Sequence, residues 1–126
     1  MTATLGELEK QIMDILWEQQ SSSVRCVLQE LKKERKIAYT TVATILQRLY
    51  DKGMVHKKED KLGFTYAPKI SREDYIKSLS QSFLSNLVSS FGDMAIASFA
   101  HSIEDLPKKK KKYFLEMLTE YETAKK

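Results

Sequence analysis

The sequence predicts a mainly helical protein with one small β-hairpin, and three observations lead to this prediction. Apolar residues recur at spacings of three and four over residues 5–49, which is typical of amphipathic helices. The stretch "FTYAP" alternates apolar and polar residues after a charged segment, which is typical of a hairpin strand. Helical spacings then return over residues 72–121.

The first two helices are predicted from their apolar stripes. In residues 5–20 Met13 and Trp17 lie at the margin of a stripe formed by Leu5, Leu8, Ile12, Ile15 and Leu16. The serines at 21–23 break this helix and supply an N-cap for the second one. The second stripe consists of Val24, Val27, Leu28 and Leu31. Cys26, the only cysteine, is interpreted as a small buried apolar residue of this helix.

The third helix is predicted to begin with Thr40 as its N-cap and to end before Gly53, where positive φ is wanted. Its buried stripe is Val42, Ile45, Leu46 and Leu49. Met54 and Val55 then start a short strand, "HKKEDKLG" forms a charged turn, and "FTYAP" forms a second strand that ends at Pro68. Three helices followed by such a hairpin describe a winged helix-turn-helix domain over residues 1–70.

Residues 71–126 are predicted to form a helical dimerisation domain. Ser71 with Asp74 marks its first helix start, Gly92 ends that helix, and Pro107 precedes the last one. These helices carry more apolar surface than they can cover mutually, and a symmetric dimer would bury it. The alternative is a monomer that packs them back on the first three helices. The predicted interface residues are Ile76, Leu79, Phe83, Leu87, Phe91, Phe99, Phe114, Leu118 and Tyr121.

Composition narrows the class of protein. The chain has 126 residues, 42% hydrophobic and 30% charged, as expected for one compact domain or a small domain with an appendage. Lys and Arg number 21 against 17 Asp and Glu, which suits an acidic partner and equally a mildly basic solvated surface. The start shows no signal peptide, and no apolar run is long enough to cross a bilayer. We therefore expect a soluble cytoplasmic protein without membrane association.

Catalysis and cofactor binding are not predicted. The sequence shows no Ser/His/Asp set and no phosphate-cradling loop. Cys26, His56 and His101 are too few and too scattered for a thiolate metal site. We therefore expect no enzyme, no cofactor and no metal. The lysine run at 108–112 is interpreted as a solvated charge run. The alternatives are a further phosphate-binding patch, a protease-recognition element and a contact with acidic groups of a partner subunit.

One face of the third helix indicates DNA binding. Thr41, Thr44 and Arg48 lie at i, i+3 and i+7, opposite the apolar stripe, and Gln47 lies in the adjoining row. Hydroxyls at a helix start can bind phosphate, while Thr can touch thymine, Gln can pair with adenine and Arg can bind guanine. Basic residues flank the helix at 32–36 and at 57–61. The alternatives are a solvated polar face and a winged-helix module that binds a protein.

Three segments carry a resemblance to a known family. "LGELEKQIMDILWE", "VRCVLQELKKERKIAYTTVATILQRLYDKGMV" and "FTYAP" resemble the penicillinase-repressor and methicillin-resistance-repressor family, which also includes copper-transport repressors. The resemblance is dense over residues 5–68. It implies a homodimeric transcriptional repressor whose third helix enters the major groove of a palindromic double-stranded operator, often with TACA/TGTA half-sites. The wing would lie along the DNA backbone.

The resemblance implies DNA contacts at matching positions. Thr40 and Thr41 would anchor the start of the third helix, and Thr44 and Arg48 would face the DNA. Phosphate contacts would come from Ser23, Arg25 and Tyr39.

The chain departs from the family pattern in three places. Many members have Gly-Arg at the wing tip, where this chain has Lys61-Leu62, so that wing contacts would come from Lys57, Lys58 and Lys61. Antibiotic-linked members are inactivated by a protease at an Asn-Phe bond, and the matching position here is Ser98-Phe99. Copper-responsive members carry a C-terminal cysteine cluster, which "TEYETAKK" lacks.

Overall fold

The computed structural model describes residues 5–125 and contains six α-helices and a three-stranded antiparallel sheet within that range. The mainly helical fold with a hairpin wing is therefore confirmed. The sheet has the strand order β1-β3-β2. The elements are α1 (Glu7–Gln19), β1 (Ser22–Ser23), α2 (Val24–Lys32), α3 (Tyr39–Asp51), β2 (Val55–Asp60), β3 (Gly63–Pro68), α4 (Arg72–Phe91), α5 (Asp93–Ser102) and α6 (Lys108–Ala124).

The described residues fall into two compact units, one up to Ser82 and the other from Phe83. The first unit extends past residue 70 because the first turns of α4 pack on its core, where Tyr75 is buried and Leu79 is partly buried. Trp17 fixes the connection before α4, since its Nε1 donates to the Ile70 carbonyl oxygen at 2.8 Å. The assignment of residues 71–126 as a dimerisation domain stays a prediction.

The core of the first unit is built from the apolar stripes of α1, α2 and α3. Its fully buried side chains include Ile12, Met13, Leu16, Val27, Val42, Leu46 and Leu49. Burying one such side chain contributes about 1.5–3 kcal/mol, so these stripes hold the three helices in fixed positions. The prediction that Met13 lies at the margin of α1 is wrong, because the sheet and α2 widen the buried face of this helix.

Two helix starts show how the chain enters α2 and α3. Ser23 caps α2, since its Oγ accepts a hydrogen bond from the Cys26 N–H at 3.1 Å, as predicted. The prediction that Thr40 is the N-cap of α3 is wrong, because the helix begins at Tyr39 and Ala38, in extended conformation, is its N-cap residue. The Ala38 carbonyl accepts from the N–H groups of Thr41 and Val42. Thr40 and Thr41 therefore lie inside the first turn of the helix.

The wing is longer than the sequence predicts. Residues 56–60, predicted as part of a charged turn, belong to β2, and only Lys61 and Leu62 connect the strands. Charge alone was a poor turn signal here, because one side of β2 faces solvent and tolerates polar residues. Gly53 has φ +78° just past α3, as predicted. The short strand β1, which pairs with β3, was not predicted.

An ion pair joins α1 to the end of α3. The Lys52 Nζ lies 2.8 Å from Glu9 Oε2, and Glu9 Oε1 also accepts from the Gly6 N–H. Burial alone would raise the pKa of the Glu9 carboxyl, but the Lys52 and Gly6 hydrogen bonds and the positive charges of Lys52 and Arg48 outweigh it. The pKa therefore lies below its ordinary value. The ionised carboxylate is the form that the folded protein favours.

We expect Lys52→Met to lower the free energy of unfolding by about 0.5–1.5 kcal/mol at pH 7, since Glu9 is only 15% exposed. The depressed pKa makes this contribution present above about pH 4.5 and lost as the pH falls through the folded value. Urea unfolding of the wild type and of Lys52→Met at pH 7 and pH 3 measures the difference in free energy of unfolding. Lys33→Met is the control, because Lys33 is 70% exposed beside Glu30 and such pairs contribute about 0–1 kcal/mol. Equal losses from both variants would contradict the prediction.

The second unit comprises the end of α4, α5, a 3-10 turn at Ile103–Asp105 and α6. Gly92 has φ +64° and separates α4 from α5. The Phe99 and Phe114 rings pack at 6.4 Å between centroids and join α5 to α6. Many apolar side chains of this unit remain exposed in the single chain, including Phe83 at 63% and Phe91 at 67%.

Candidate nucleic-acid interface

The outer face of α3 presents the predicted side chains together. Thr41, Thr44 and Arg48 are exposed, while Val42, Leu46 and Leu49 are buried on the opposite side. The Thr44 hydroxyl donates to the Thr40 carbonyl at 2.8 Å, which leaves its oxygen able to accept a bond from a ligand. The face is therefore polar, and the buried residues on its opposite side hold the helix against the core.

The starts of α2 and α3 meet the wing around one groove. Ser23 and Arg25 lie at the start of α2, Tyr39 lies at the start of α3, and Asp60 and Thr65 come from the wing. Together with Val24, Leu62, Gly63 and Phe64 these residues line a groove of about 510 Å³. Arg25 and Tyr39 are exposed there. The predicted phosphate-contacting residues thus share one surface depression.

Cys26 is exposed, so its interpretation as a buried apolar residue is wrong. It occupies the first turn of α2, where its backbone N–H serves the cap on Ser23. The apolar stripe of α2 passes through Val24, Val27 and Leu28 instead, and Cys26 lies outside that stripe.

The wing lysines occupy two different environments. Lys58 and Lys61 are exposed, as is His56. Lys57 is half-buried and its Nζ donates to Gln47 Oε1 at 2.7 Å. Successive strand residues point to opposite sides, which explains why neighbouring lysines differ.

Aromatic rings complete the surroundings of Lys57. Its Nζ lies 4.1 Å from the centroid of the Phe64 ring and 5.6 Å from that of Tyr50. Gln47 in turn donates from Nε2 to Asp51 Oδ1 at 3.1 Å. Sequence reasoning missed Tyr50, Asp51 and Phe64, since only the fold of the hairpin brings them to Lys57.

A buried tyrosine lies beneath this surface. Burial raises the pKa of the Tyr66 phenol, and the neighbouring Tyr39 adds to the effect. Tyr66 is paired with Lys57 across the hairpin and with Ser22 of β1. The neutral ring therefore helps to fix the wing against the helices.

The remaining predicted residues lie in the C-terminal half. Ile76, Phe83, Phe91, Phe99, Leu118 and Tyr121 are exposed, and Leu79, Leu87 and Phe114 are partly buried. Ser98 and Phe99 are consecutive residues inside α5. Across residues 5–125 no three His, Cys, Asp or Glu side chains gather as metal ligands would, and no helix in that range has the length and apolar character to cross a bilayer.

The comparison with protein families is decisive for the class of protein. A family model described as penicillinase repressor matches residues 5–120. The chain belongs to the penicillinase repressor family. The match covers both compact units, and the resemblance seen in the sequence is confirmed. Members of this family are repressors and not enzymes.

Two curated relatives within the family match the N-terminal part. The transcriptional regulator BlaI of Mycobacterium tuberculosis is 41% identical over 76 residues, which are 60% of this chain and 55% of that protein. The penicillinase repressor of Bacillus licheniformis is 36% identical over 81 residues, 64% of this chain and 62% of that protein. The chain thus matches less than two thirds of the length of these relatives.

A solved structure of a family member includes DNA. The solution structure of the monomeric form of Bacillus licheniformis BlaI in complex with the blaP half-operator has a TM-score of 0.51 and 28% identity to this chain. The match covers 60% of this chain and 92% of the solved chain. The winged-helix fold is thereby confirmed.

Proposed function

We propose that the protein is a cytoplasmic homodimeric transcriptional repressor that binds a palindromic DNA operator with TACA/TGTA-type half-sites. The exposed face formed by Thr41, Thr44 and Arg48 on α3 carries the proposal. A relative of the same fold is solved with a half-operator, and family membership supports the repressor role. Release from the operator then requires a signal that is not identified. Cleavage by a protease at the Ser98-Phe99 bond is one predicted route.

The geometry of α3 suits the major groove. Short threonine side chains near the helix start allow close approach of the backbone, and their methyl groups can contact thymine. Arg48 lies two turns from Thr41 on the same face and can bind guanine through two parallel hydrogen bonds. Since Leu46 and Leu49 are fully buried behind this face, the helix enters the groove as a rigid body.

Phosphate contacts would set the register on the duplex. Ser23, Arg25 and Tyr39 lie around the groove beside α3, and Lys58 and Lys61 extend from the wing. Contacts of this kind orient a protein without reading sequence. The excess of 21 basic over 17 acidic residues supports attraction to the duplex.

Dimerisation would explain a palindromic site. The second unit leaves Phe83, Phe91, Leu118 and Tyr121 largely exposed in the single chain, and a second copy would cover them. A twofold dimer presents two copies of α3, which read two half-sites about one helical turn apart.

We expect Arg48→Ala to weaken operator binding by about 1–3 kcal/mol and to relax preference at one base pair, if Arg48 reads guanine. Arg48→Lys is the matched control, since it keeps the charge and loses the planar two-donor geometry. Gel shifts on a TACA/TGTA palindrome and its single-base variants measure both effects. A fall that is even across all sequences would instead assign Arg48 to phosphate. Wild-type binding without any sequence preference would reject the repressor in favour of a protein-interaction module.

A further inference from the structure

We propose that Lys57 and Gln47 form a strut that fixes the wing relative to α3, so that both are positioning residues. The inference rests on the proposed function, because the wing must be oriented on DNA for the strut to matter. It assigns Lys57 a role other than a phosphate contact and Gln47 a role other than pairing with adenine.

The position of Lys57 in the hairpin turns its side chain toward α3. It shares one side of β2 with Val55 and lies opposite Tyr66 of β3, and both of these are buried. Lys58 is directed to the other side and is exposed. Two adjacent lysines of the same strand thus face the helix and the solvent respectively.

Three groups from two elements hold the Lys57 ammonium. Gln47 Oε1 of α3 accepts its hydrogen bond at 2.7 Å. The Phe64 ring of β3 lies 4.1 Å away and the Tyr50 ring of α3 lies 5.6 Å away, within the range of cation–π attraction. Moving the ammonium to a DNA phosphate would break these contacts together, so the exposed Lys58 and Lys61 are better placed to bind phosphate.

The amide of Gln47 is used at both ends. Its oxygen accepts from Lys57 and its nitrogen donates to Asp51 Oδ1 at 3.1 Å. The opposite amide orientation would place a donor against the ammonium and an acceptor against the carboxylate, so the two partners fix it. Pairing with adenine requires the same oxygen and nitrogen. Gln47 therefore serves the wing and leaves base reading to its neighbours.

The test measures operator binding of Lys57→Met, Gln47→Leu and the double variant by fluorescence anisotropy over a salt series. Methionine retains contact with Phe64 but cannot donate a hydrogen bond. We expect each single variant to weaken binding about 5–10-fold, and the double variant to lose no more than the worse single variant. Gln47→Leu should leave the salt slope and the base preference unchanged. Lys57→Arg should restore binding, because it keeps the donor and the charge over Phe64.

Lys58→Met is the matched control. Loss of a phosphate contact should reduce the slope of log K against log salt by about 0.9 per subunit. A slope reduced as much by Lys57→Met as by Lys58→Met would overturn the inference. So would additive losses, unchanged binding in both single variants, or relaxed choice at one base pair in Gln47→Leu.

A double-mutant cycle of unfolding without DNA separates failure of this inference from failure of the proposed function. Non-additive losses of stability between Lys57 and Gln47 are expected from their direct contact. Additive losses would overturn the strut even if operator binding proved real. If the wild-type protein does not bind operator DNA but the unfolding cycle still shows coupling between Lys57 and Gln47, the proposed function is rejected and the strut is retained.

Discussion

Raising the salt concentration from 50 to 200 mM is expected to weaken operator binding by about 10³–10⁵-fold, if the dimer contacts 6–10 phosphates. In the proposed function, the phosphate contacts of each subunit would come from the start of α3 and from Ser23, Arg25, Tyr39, Lys58 and Lys61. Two subunits therefore provide enough groups for contacts in this range. The physical cause is release of condensed counterions when basic side chains neutralise phosphates.

Fluorescence anisotropy with an operator duplex and a scrambled duplex measures this dependence. Lys109→Met is the matched control, because Lys109 is exposed within the lysine run at 108–112, which we interpret as solvated charge. Lys111 departs from that interpretation, since its Nζ pairs with Glu104 Oε2 at 2.6 Å. The slope of log K against log salt for Lys109→Met should equal that of the wild type. A shallow wild-type slope, with equal affinity for both duplexes, would favour the protein-interaction module over the repressor.

The core and the face of α3 could be predicted from sequence because both depend on helical period. Spacings of three and four placed Val42, Ile45, Leu46 and Leu49 on one side, and all four are buried. The opposite side was then fixed for Thr41 and Arg48, since a helix allows no other arrangement. The alternation in "FTYAP" predicted the hairpin in the same way. Family resemblance added the repressor class, which residue spacing alone does not provide.

The errors arose where the type of a residue alone was used to assign its place. Thr40 is a good N-cap residue by type, but the backbone at Ala38 already accepts the first helical hydrogen bonds. Cys26 is apolar by type, yet it lies outside the apolar stripe of α2 and is exposed. The charged residues 56–60 were predicted as a turn, but they pair with β3 and therefore form a strand. Only the error in β2 depended on another element, whereas the errors at Thr40 and Cys26 concern residues of the same helix start or helix.

The contact between Lys57 and Gln47 had no signal in the sequence. The two residues are ten positions apart in different elements, so no helical or strand period links them. A basic residue beside a predicted recognition helix is most simply interpreted as a DNA contact. Only the fold of the hairpin shows that the rings of Tyr50 and Phe64 and the amide of Gln47 surround the Lys57 ammonium.

We expect Leu87→Asp to convert a dimer into monomers and to weaken operator binding at least 100-fold. Leu87 lines an apolar groove of about 400 Å³ within the second unit, together with Phe83, Phe91, Met94 and Phe99. A carboxylate buried there by a partner would cost several kcal/mol, and about 2.7 kcal/mol already corresponds to a factor of 100. A monomer would also retain only one half-site contact.

Sedimentation velocity and anisotropy on the same samples measure assembly and binding. Ser89→Asp is the matched control, since Ser89 is exposed on α4 and lies about 200° around the helix from Leu87. It adds the same charge outside the apolar groove and should leave both quantities unchanged. Because Leu87 lies outside the buried core of the first unit, the substituted chain should keep its winged-helix fold and its circular dichroism. A wild-type monomer at micromolar concentration, or a Leu87→Asp dimer that binds the operator normally, would remove the second unit from the proposed interface.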